Sequence, residues 1–287
     1  SALAFPAPDK QISQAALLQR ATKNQLVYLT TRSGYKIPAI HLRDKNSNRV
    51  NNRNKLTVIY SHGNAEDVGL SLPYLDYLRE FCKCNVLAYE YCGYSVAEGE
   101  PSETNCYECI EAAYQYLVED NPEQNVDPSR VVLFGRSLGT GPTVDLAAKL
   151  CSQNVRIAGC VLQSPLESAG RCVLGETASF ALYYLDIFRS YEKIAKLAPI
   201  PVFILHGIMD NVVPVSNGKA LYEALTNAQK AMGGKNNNDD HYRSVAYTPK
   251  WIPDVGHNDM PEFECLQDIA KFLKFLQERQ GRTNGWQ

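Results

Sequence analysis

The fold is decided by residues 131–139, which read Val-Val-Leu-Phe-Gly-Arg-Ser-Leu-Gly. The four apolar residues are typical of a buried strand, and the residues that follow Gly139 show a helical pattern. Gly135 and Gly139 flank Ser137, and glycines at these positions leave room for a serine on a sharp strand-to-helix turn. The pattern is short enough to occur by chance, so we look for the context that a nucleophile elbow requires: an acid and then a histidine further along the chain.

The chain around this turn alternates between apolar strands and helices. Strands are predicted at 26–31, 35–42, 56–61, 86–89, 130–134, 157–163, 202–206 and 245–252. Helices are predicted at 11–20, 70–82, 104–119, 138–150, 215–226 and 261–280. This order predicts an α/β fold with a mostly parallel sheet, helices on both faces and an N-terminal hairpin. We expect an arm over 1–24, one domain over 25–287, a short cap region between 164 and 198, and a mobile polar insertion over 227–242.

A histidine suited to act as a base follows the last predicted strand. A serine hydroxyl is a poor nucleophile at neutral pH, so it needs a base within hydrogen-bond reach. His257 lies in a loop opened by Gly256, at the end of that strand, where the base is expected. His241 also follows Ser137, but it falls in the polar insertion, where a solvated side chain is the default. His257 is therefore the predicted base.

The acid is expected in the loop after the preceding strand. Residues 201–205 are apolar and lead directly into His-Gly-Ile-Met-Asp, which ends at Asp210. An aspartate ahead of the helix at 215 also fits an ordinary N-cap. Asp254 and Asp259 are rivals, but both lie too close in sequence to His257 to approach it easily from another strand. We predict that Asp210 orients His257.

Two backbone N–H groups are predicted to stabilise a developing oxyanion. One belongs to Leu138, the residue after the nucleophile, and the other to Asn64, in the loop after the strand that ends at Ser61. Gly63 allows a substrate to approach this loop closely. We expect His62 to be structural rather than catalytic.

Composition excludes several other classes of function. The 287 residues are 45% hydrophobic, enough for a large core, and the formal net charge of -2 gives no reason to expect a nucleic-acid partner. Most of the nine cysteines lie in apolar segments, as Cys160 does, and are expected to be buried thiols. Cys106 and Cys109 lack a matching pair at zinc-site spacing. We expect no metal, no cofactor, no transmembrane segment and a cytoplasmic location.

Four further stretches carry a family resemblance. They are Ser-His-Gly-Asn-Ala-Glu-Asp at 61–67, Gly93-Tyr94 followed by Glu-Pro-Ser-Glu at 100–103, Val-Asp-Leu-Ala-Ala at 144–148, and Gly-His-Asn-Asp at 256–259. Together they resemble the α/β-hydrolase-domain 17 family, over about residues 55–275. The resemblance implies the α/β-hydrolase fold and a serine hydrolase, or serine esterase, that removes palmitate from cysteine thioesters on membrane-attached proteins. It also implies that Ser137, Asp210 and His257 form the catalytic triad.

The chain departs from that family at three places. Arg136 precedes the nucleophile where relatives have Gln, and Ser95 stands where they usually have Gly. The relatives' N-terminal cysteine cluster is not in this sequence, whose first cysteine is Cys82. We expect peripheral contact with the cytosolic face of membranes rather than insertion.

A candidate acyl groove lies within the predicted cap region. Phe180, Tyr184 and Phe188 belong to an apolar, aromatic stretch that suits a fatty acyl chain, although a helix packed on the core explains the stretch equally well. The predicted substrate is an acylated protein or a small acyl ester. A small-ester hydrolase or peptidase on the same triad is the alternative, followed by a non-catalytic interaction module.

Overall fold

The computed structural model describes residues 10–21, 25–43, 55–119, 125–172, 186–233 and 247–283. They fall into two units, Ser1–Leu133 and Phe134–Gln287. Among these described residues, no helix is both long and apolar enough to cross a bilayer.

The described part of the first unit contains strands β1–β4 and three α-helices. The strands are β1 (Leu26–Thr30), β2 (Lys36–Leu42), β3 (Thr57–Ser61) and β4 (Asn85–Tyr89), and the helices are α1 (Lys10–Ala21), α2 (Val68–Cys82) and α3 (Glu103–Val118). β1 and β2 form the predicted antiparallel hairpin, with Leu26 opposite Ile40, and the turn uses Gly34 at φ +88°. β2 pairs antiparallel with β4, and β4 pairs parallel with β3.

Side-chain caps fix where two of these helices begin. The Asp67 carboxylate accepts the Leu70 N–H at the start of α2, and the Ser102 hydroxyl accepts the Asn105 N–H at the start of α3. Each cap satisfies one of the N–H groups that a helix leaves without an internal partner. Every residue of β3 and β4 is buried, as expected for central strands of an α/β sheet.

The second unit repeats the strand-and-helix alternation. Its strands are β5 (Val131–Arg136), which begins in the last residues of the first unit, β6 (Gly159–Gln163), β7 (Val202–Gly207) and β8 (Lys250–Ile252). Its helices are α4 (Thr140–Ser152), α5 (Val215–Gly233) and α6 (Glu262–Thr283). β6 pairs parallel with β7, and β7 pairs parallel with β8. The loops after β7 and β8 therefore leave the sheet at the same edge.

The structure confirms the predicted α/β class, the α/β-hydrolase fold with a mostly parallel sheet, and Cys160 is buried as expected. Most predicted limits lie within three residues of the observed ones, and two are wrong by more. Residues 227–233 were predicted to belong to a polar insertion, but they continue α5. The prediction failed because the polar face that a helix turns to solvent has the same composition as a loop. The last strand starts at Lys250 rather than at 245, and residues 247–249 are described without strand structure.

Candidate active site

Ser137 lies on a tight turn between β5 and α4. The turn is a single 3-10 turn, Ser137–Gly139, and Ser137 takes φ +51°, in the left-handed region that is costly for a residue with a Cβ. A Cβ on Gly135 would lie 2.5 Å from the Gly139 carbonyl oxygen, so this position admits only glycine. The Thr140 hydroxyl donates to the Ser137 carbonyl at 2.6 Å, and the Thr143 hydroxyl donates to that of Gly139 at 2.8 Å. These bonds hold the turn in its strained conformation.

The structure brings Ser137, His257 and Asp210 into one chain of hydrogen bonds. His257 Nε2 lies 2.9 Å from Ser137 Oγ, and His257 Nδ1 lies 2.7 Å from Asp210 Oδ2. A carboxylate only accepts, so Nδ1 carries the proton and Nε2 is left to accept the serine O–H. The Asp210 side chain is fully buried and that of His257 is 10% exposed.

Both oxygens of the Asp210 carboxylate have hydrogen-bond donors close to them. Its Oδ1 accepts the backbone N–H groups of Val212 and Val213, at 3.0 and 2.7 Å. Besides His257, its Oδ2 lies 3.3 Å from His206 Nε2. Burial by itself raises the pKa of Asp210, but the hydrogen bonds from His206, His257 and the Val213 N–H outweigh it and hold that pKa well below its usual range.

The loops that carry the acid and the base are joined by their backbones. The Ile208 N–H donates to the Ile252 carbonyl at 2.8 Å, and the Met209 N–H donates to the Val255 carbonyl at 2.9 Å. The loops approach so closely that a Cβ on Gly207 would lie 2.4 Å from the Val255 oxygen. The relative position of acid and base is therefore set by main-chain contacts.

The rival acids have other surroundings. The Asp259 Oδ1 accepts the Gly256 N–H at 2.8 Å and so shapes the loop that presents His257. Asp254 takes φ +54° in the turn after β8. Together with Met209 and His257 they line an open cavity of about 500 Å³. The carboxylate that faces His257 Nδ1 is that of Asp210.

His206 is a neighbour of the triad to which the sequence analysis gave no role. Its ring is fully buried, and Nε2 lies 2.8 Å from the Val213 carbonyl as well as 3.3 Å from Asp210. The only sequence signal was its position, four residues before Asp210 at the end of a predicted strand.

The two predicted oxyanion donors lie in different units. Leu138 follows Ser137 in the turn that leads into α4, and an N–H at a helix start has no partner within the helix. In the first unit, Asn64 Oδ1 accepts the Tyr94 hydroxyl at 2.7 Å. The oxyanion hole built from both N–H groups stays a prediction.

The turn that contains Asn64 is anchored by a buried ion pair. His62 Nε2 lies 2.8 Å from Glu90 Oε1, both side chains are fully buried, and Glu90 also accepts the N–H groups of Val68 and Tyr91, each at 3.1 Å. Burial works to lower the pKa of His62, but the Glu90 carboxylate raises it, and the net shift is upward. These contacts agree with the structural role expected for His62.

The candidate acyl groove is described only at Phe188. Phe180 and Tyr184 lie outside the described residues. Phe188 is 2% exposed, and a Cβ on Gly141 would lie 2.5 Å from its ring. As described, Phe188 packs against α4 rather than forming an accessible wall, so the groove itself stays a prediction.

Comparisons of the sequence with known proteins identify relatives of this chain. A family model described as alpha/beta hydrolase fold matches residues 74–193. The chain is 35% identical over 220 residues to alpha/beta hydrolase domain-containing protein 17C of Xenopus tropicalis, covering 76% of this chain and 62% of that protein. It is 34% identical to human protein 17B, covering 76% and 66%. The chain thus spans between 58% and 66% of the length of the curated relatives it matches.

Solved structures share the fold at low sequence identity. An esterase of Pyrococcus furiosus superposes with a TM-score of 0.60 at 18% identity, covering 88% of this chain and 92% of that one. An alpha-beta hydrolase of Vibrio vulnificus gives a TM-score of 0.63 at 19% identity, covering 91% and 86%. At such identities the likeness supports the fold alone.

Proposed function

From the premise that this chain belongs to the α/β-hydrolase superfamily and is related to its domain 17 proteins, we propose that it is a serine hydrolase of acyl esters and thioesters. The observation that carries the proposal is the chain of hydrogen bonds from Ser137 through His257 to Asp210, at 2.9 and 2.7 Å. A catalytic triad is identified by the geometry of its three side chains and by the chemical role of each, rather than by their positions in the sequence.

The proposed reaction has two halves that share one base. His257 Nε2 takes the proton of Ser137 Oγ as this oxygen attacks the substrate carbonyl. The proton then passes to the departing thiolate or alkoxide, and an acyl-serine remains. Water, deprotonated by the same nitrogen, attacks the acyl-serine, and the proton returns to Oγ as the fatty acid leaves.

Asp210 and the backbone stabilise the charges that this reaction creates. The imidazolium formed on His257 lies 2.7 Å from a carboxylate whose low pKa keeps it ionised. The predicted donor to the substrate oxyanion within the unit that holds the triad is the N–H of Leu138. Each such donor is worth about 10²–10³ in kcat.

The proposed substrate is a long-chain acyl thioester on a protein, palmitoyl-cysteine above all. Three apolar side chains beside the acid are exposed, Ile208 at 41%, Met209 at 64% and Val212 at 52%. Met209 also lines the open cavity at His257. An apolar surface next to an open site suits a fatty chain presented by another macromolecule, and the family resemblance supports the same substrate class.

The test combines active-site labelling with hydrolysis. The native protein should react with a fluorophosphonate probe and hydrolyse p-nitrophenyl esters and a palmitoylated peptide. Ser137→Ala should abolish labelling and turnover, whereas Ser216→Ala, which removes an exposed serine on α5, should retain both. An unlabelled native protein would favour an interaction module. Labelling without hydrolysis of the palmitoylated peptide would favour a small-ester hydrolase or a peptidase.

A further inference from the structure

His206 occupies a position from which it reaches two acceptors at once. Its Nε2 lies 2.8 Å from the Val213 carbonyl oxygen and 3.3 Å from Asp210 Oδ2. Both are oxygens that accept, because the Asp210 carboxylate is ionised. Nε2 must therefore carry a hydrogen, which it donates to the Val213 carbonyl at 2.8 Å, with Asp210 Oδ2 as a second acceptor at the longer distance of 3.3 Å.

The other ring nitrogen fixes the charge of His206. Nδ1 is buried and makes no hydrogen bond with any described residue. It faces Gly218 of α5, where a Cβ would lie 2.5 Å from it. A proton on Nδ1 would be a buried donor without an acceptor among the described residues, which is unfavourable. The geometry selects the neutral imidazole with its hydrogen on Nε2.

We infer that His206 is a positioning residue for Asp210, seated by Gly218 so that its neutral Nε2–H holds the carboxylate toward His257; the inference rests on the proposed function. The Val213 residue links the two ends of this arrangement. Its N–H binds Oδ1 at 2.7 Å while its carbonyl receives the His206 hydrogen. The carboxylate is thus held at both oxygens.

The neutral state of His206 matters for catalysis. A cation at this position would offset the carboxylate charge that the His257 imidazolium needs in the transition state. A neutral donor orients Oδ2 and leaves that charge available. The His206 ring is fully buried, so it does not reach a substrate directly. Its effect on the reaction therefore passes through Asp210.

The first experiment compares His206→Phe with His206→Gln in the full chain. Phenylalanine fills the ring's space without a donor, so kcat should fall about 10- to 100-fold, the equivalent of one lost buried hydrogen bond. KM should change little. Glutamine carries an N–H at a similar reach and should restore kcat to within about fivefold of native. The acidic limb of kcat/KM should move to lower pH in His206→Phe, since a displaced carboxylate stabilises the His257 imidazolium less well.

A second variant changes the space that Gly218 leaves for the His206 ring, without changing His206 itself. Gly218→Ala adds a Cβ that must displace Nδ1, while alanine is a better helix former than glycine. It should lower kcat while the melting temperature stays within a few degrees of that of Lys219→Ala, an exposed change one residue away.

The outcomes separate this inference from the proposed function. An active native protein whose His206→Phe variant keeps full kcat and an unmoved acidic limb overturns the inference alone. The inference is also overturned if His206→Phe and His206→Gln lose kcat and melting temperature to the same extent and the acidic limb of kcat/KM does not move. That result would show that His206 has only a structural role. A native protein that neither labels nor hydrolyses overturns the proposed function first.

Discussion

At the scale of single residues, the low pKa of Asp210 ties the stability of the protein to pH. A carboxyl group whose pKa is lower in the folded than in the unfolded state stabilises the fold at neutral pH. That contribution is complete above the unfolded value, about 3.9, and is lost as the pH falls toward the folded value. Native protein and Asp210→Asn should therefore differ most in unfolding free energy near pH 7, and less at pH 3.

Urea unfolding of both proteins from pH 7 to pH 3 measures this difference. A difference that is constant over the whole range would contradict the prediction, because Asp210 would then contribute nothing that depends on protonation. The same substitution should lower kcat by up to about 10⁴-fold, since asparagine stabilises the wrong tautomer of the base.

The residues of the site differed in how far the sequence could reveal them. Ser137, Asp210 and His257 each follow a strand that was recognisable from its apolar run, so their place at one edge of the sheet followed from the fold. His206 also lies at the end of such a strand, but its role was not predictable, because it depends on which ring atom faces Asp210 and on the room left by Gly218. Such contacts depend on how side chains pack in the folded protein, so the spacing of residues along the sequence does not predict them.

At the scale of elements, the turn between β5 and α4 depends on glycine at position 135. A Cβ there would lie 2.5 Å from the Gly139 oxygen and 2.6 Å from the Thr143 hydroxyl, and the first of these is main chain that cannot rotate away. Gly135→Ala should shift the turn, lower kcat at least about 10²-fold through a misplaced Ser137, and destabilise the fold by about 1–3 kcal/mol.

The matched control for this variant is Gly233→Ala at the end of α5. Apart from its chain neighbours and the backbone of its own helix, no atom of the described residues lies within 4 Å of the Cβ that it adds. Both variants are compared by kcat on one ester and by denaturant unfolding. Native-like activity in Gly135→Ala would show that the turn relaxes without moving the serine.

Helix and strand boundaries were predicted best where an apolar run ended abruptly. β3 and β7 are buried throughout, and their predicted limits were within one residue of the observed ones. The end of α5 was misjudged because residues 227–233 lead directly into the polar stretch Lys-Asn-Asn-Asn-Asp-Asp at 235–240, although several of them are good helix formers. The location of the Phe188 side chain was not predictable from the sequence. An aromatic residue gives the same sequence pattern whether it packs on α4, as Phe188 does, or lines a groove.

At the scale of the whole molecule, exposed apolar side chains are concentrated near the candidate acid. Among the described residues seven large hydrophobic side chains are exposed, and Ile208, Met209 and Val212 are three of them. If this surface receives the acyl chain, each buried methylene contributes up to about 0.8 kcal/mol. The value of kcat/KM should rise with acyl length from acetyl toward palmitoyl.

This prediction is checked with one leaving group and a series of acyl lengths. Met209→Ser and Val212→Ser should weaken long-chain substrates more than acetate. Phe263→Ser changes an apolar side chain on α6 that is 47% exposed, and it should leave the series unchanged. A maximum at two to four carbons that neither loop variant alters would indicate a small-ester hydrolase instead.

The hydrogen bonds that join the loops after β7 and β8 are made by backbone groups, and this has an evolutionary consequence. The amides of Ile208 and Met209 form these bonds whatever side chains those positions carry. Substitutions at these two positions therefore leave in place the backbone bonds that set Asp210 and His257 relative to each other. Under the proposed function, substrate preference can therefore change over evolution by substitution in this one short loop, while the groups that carry out the reaction are kept.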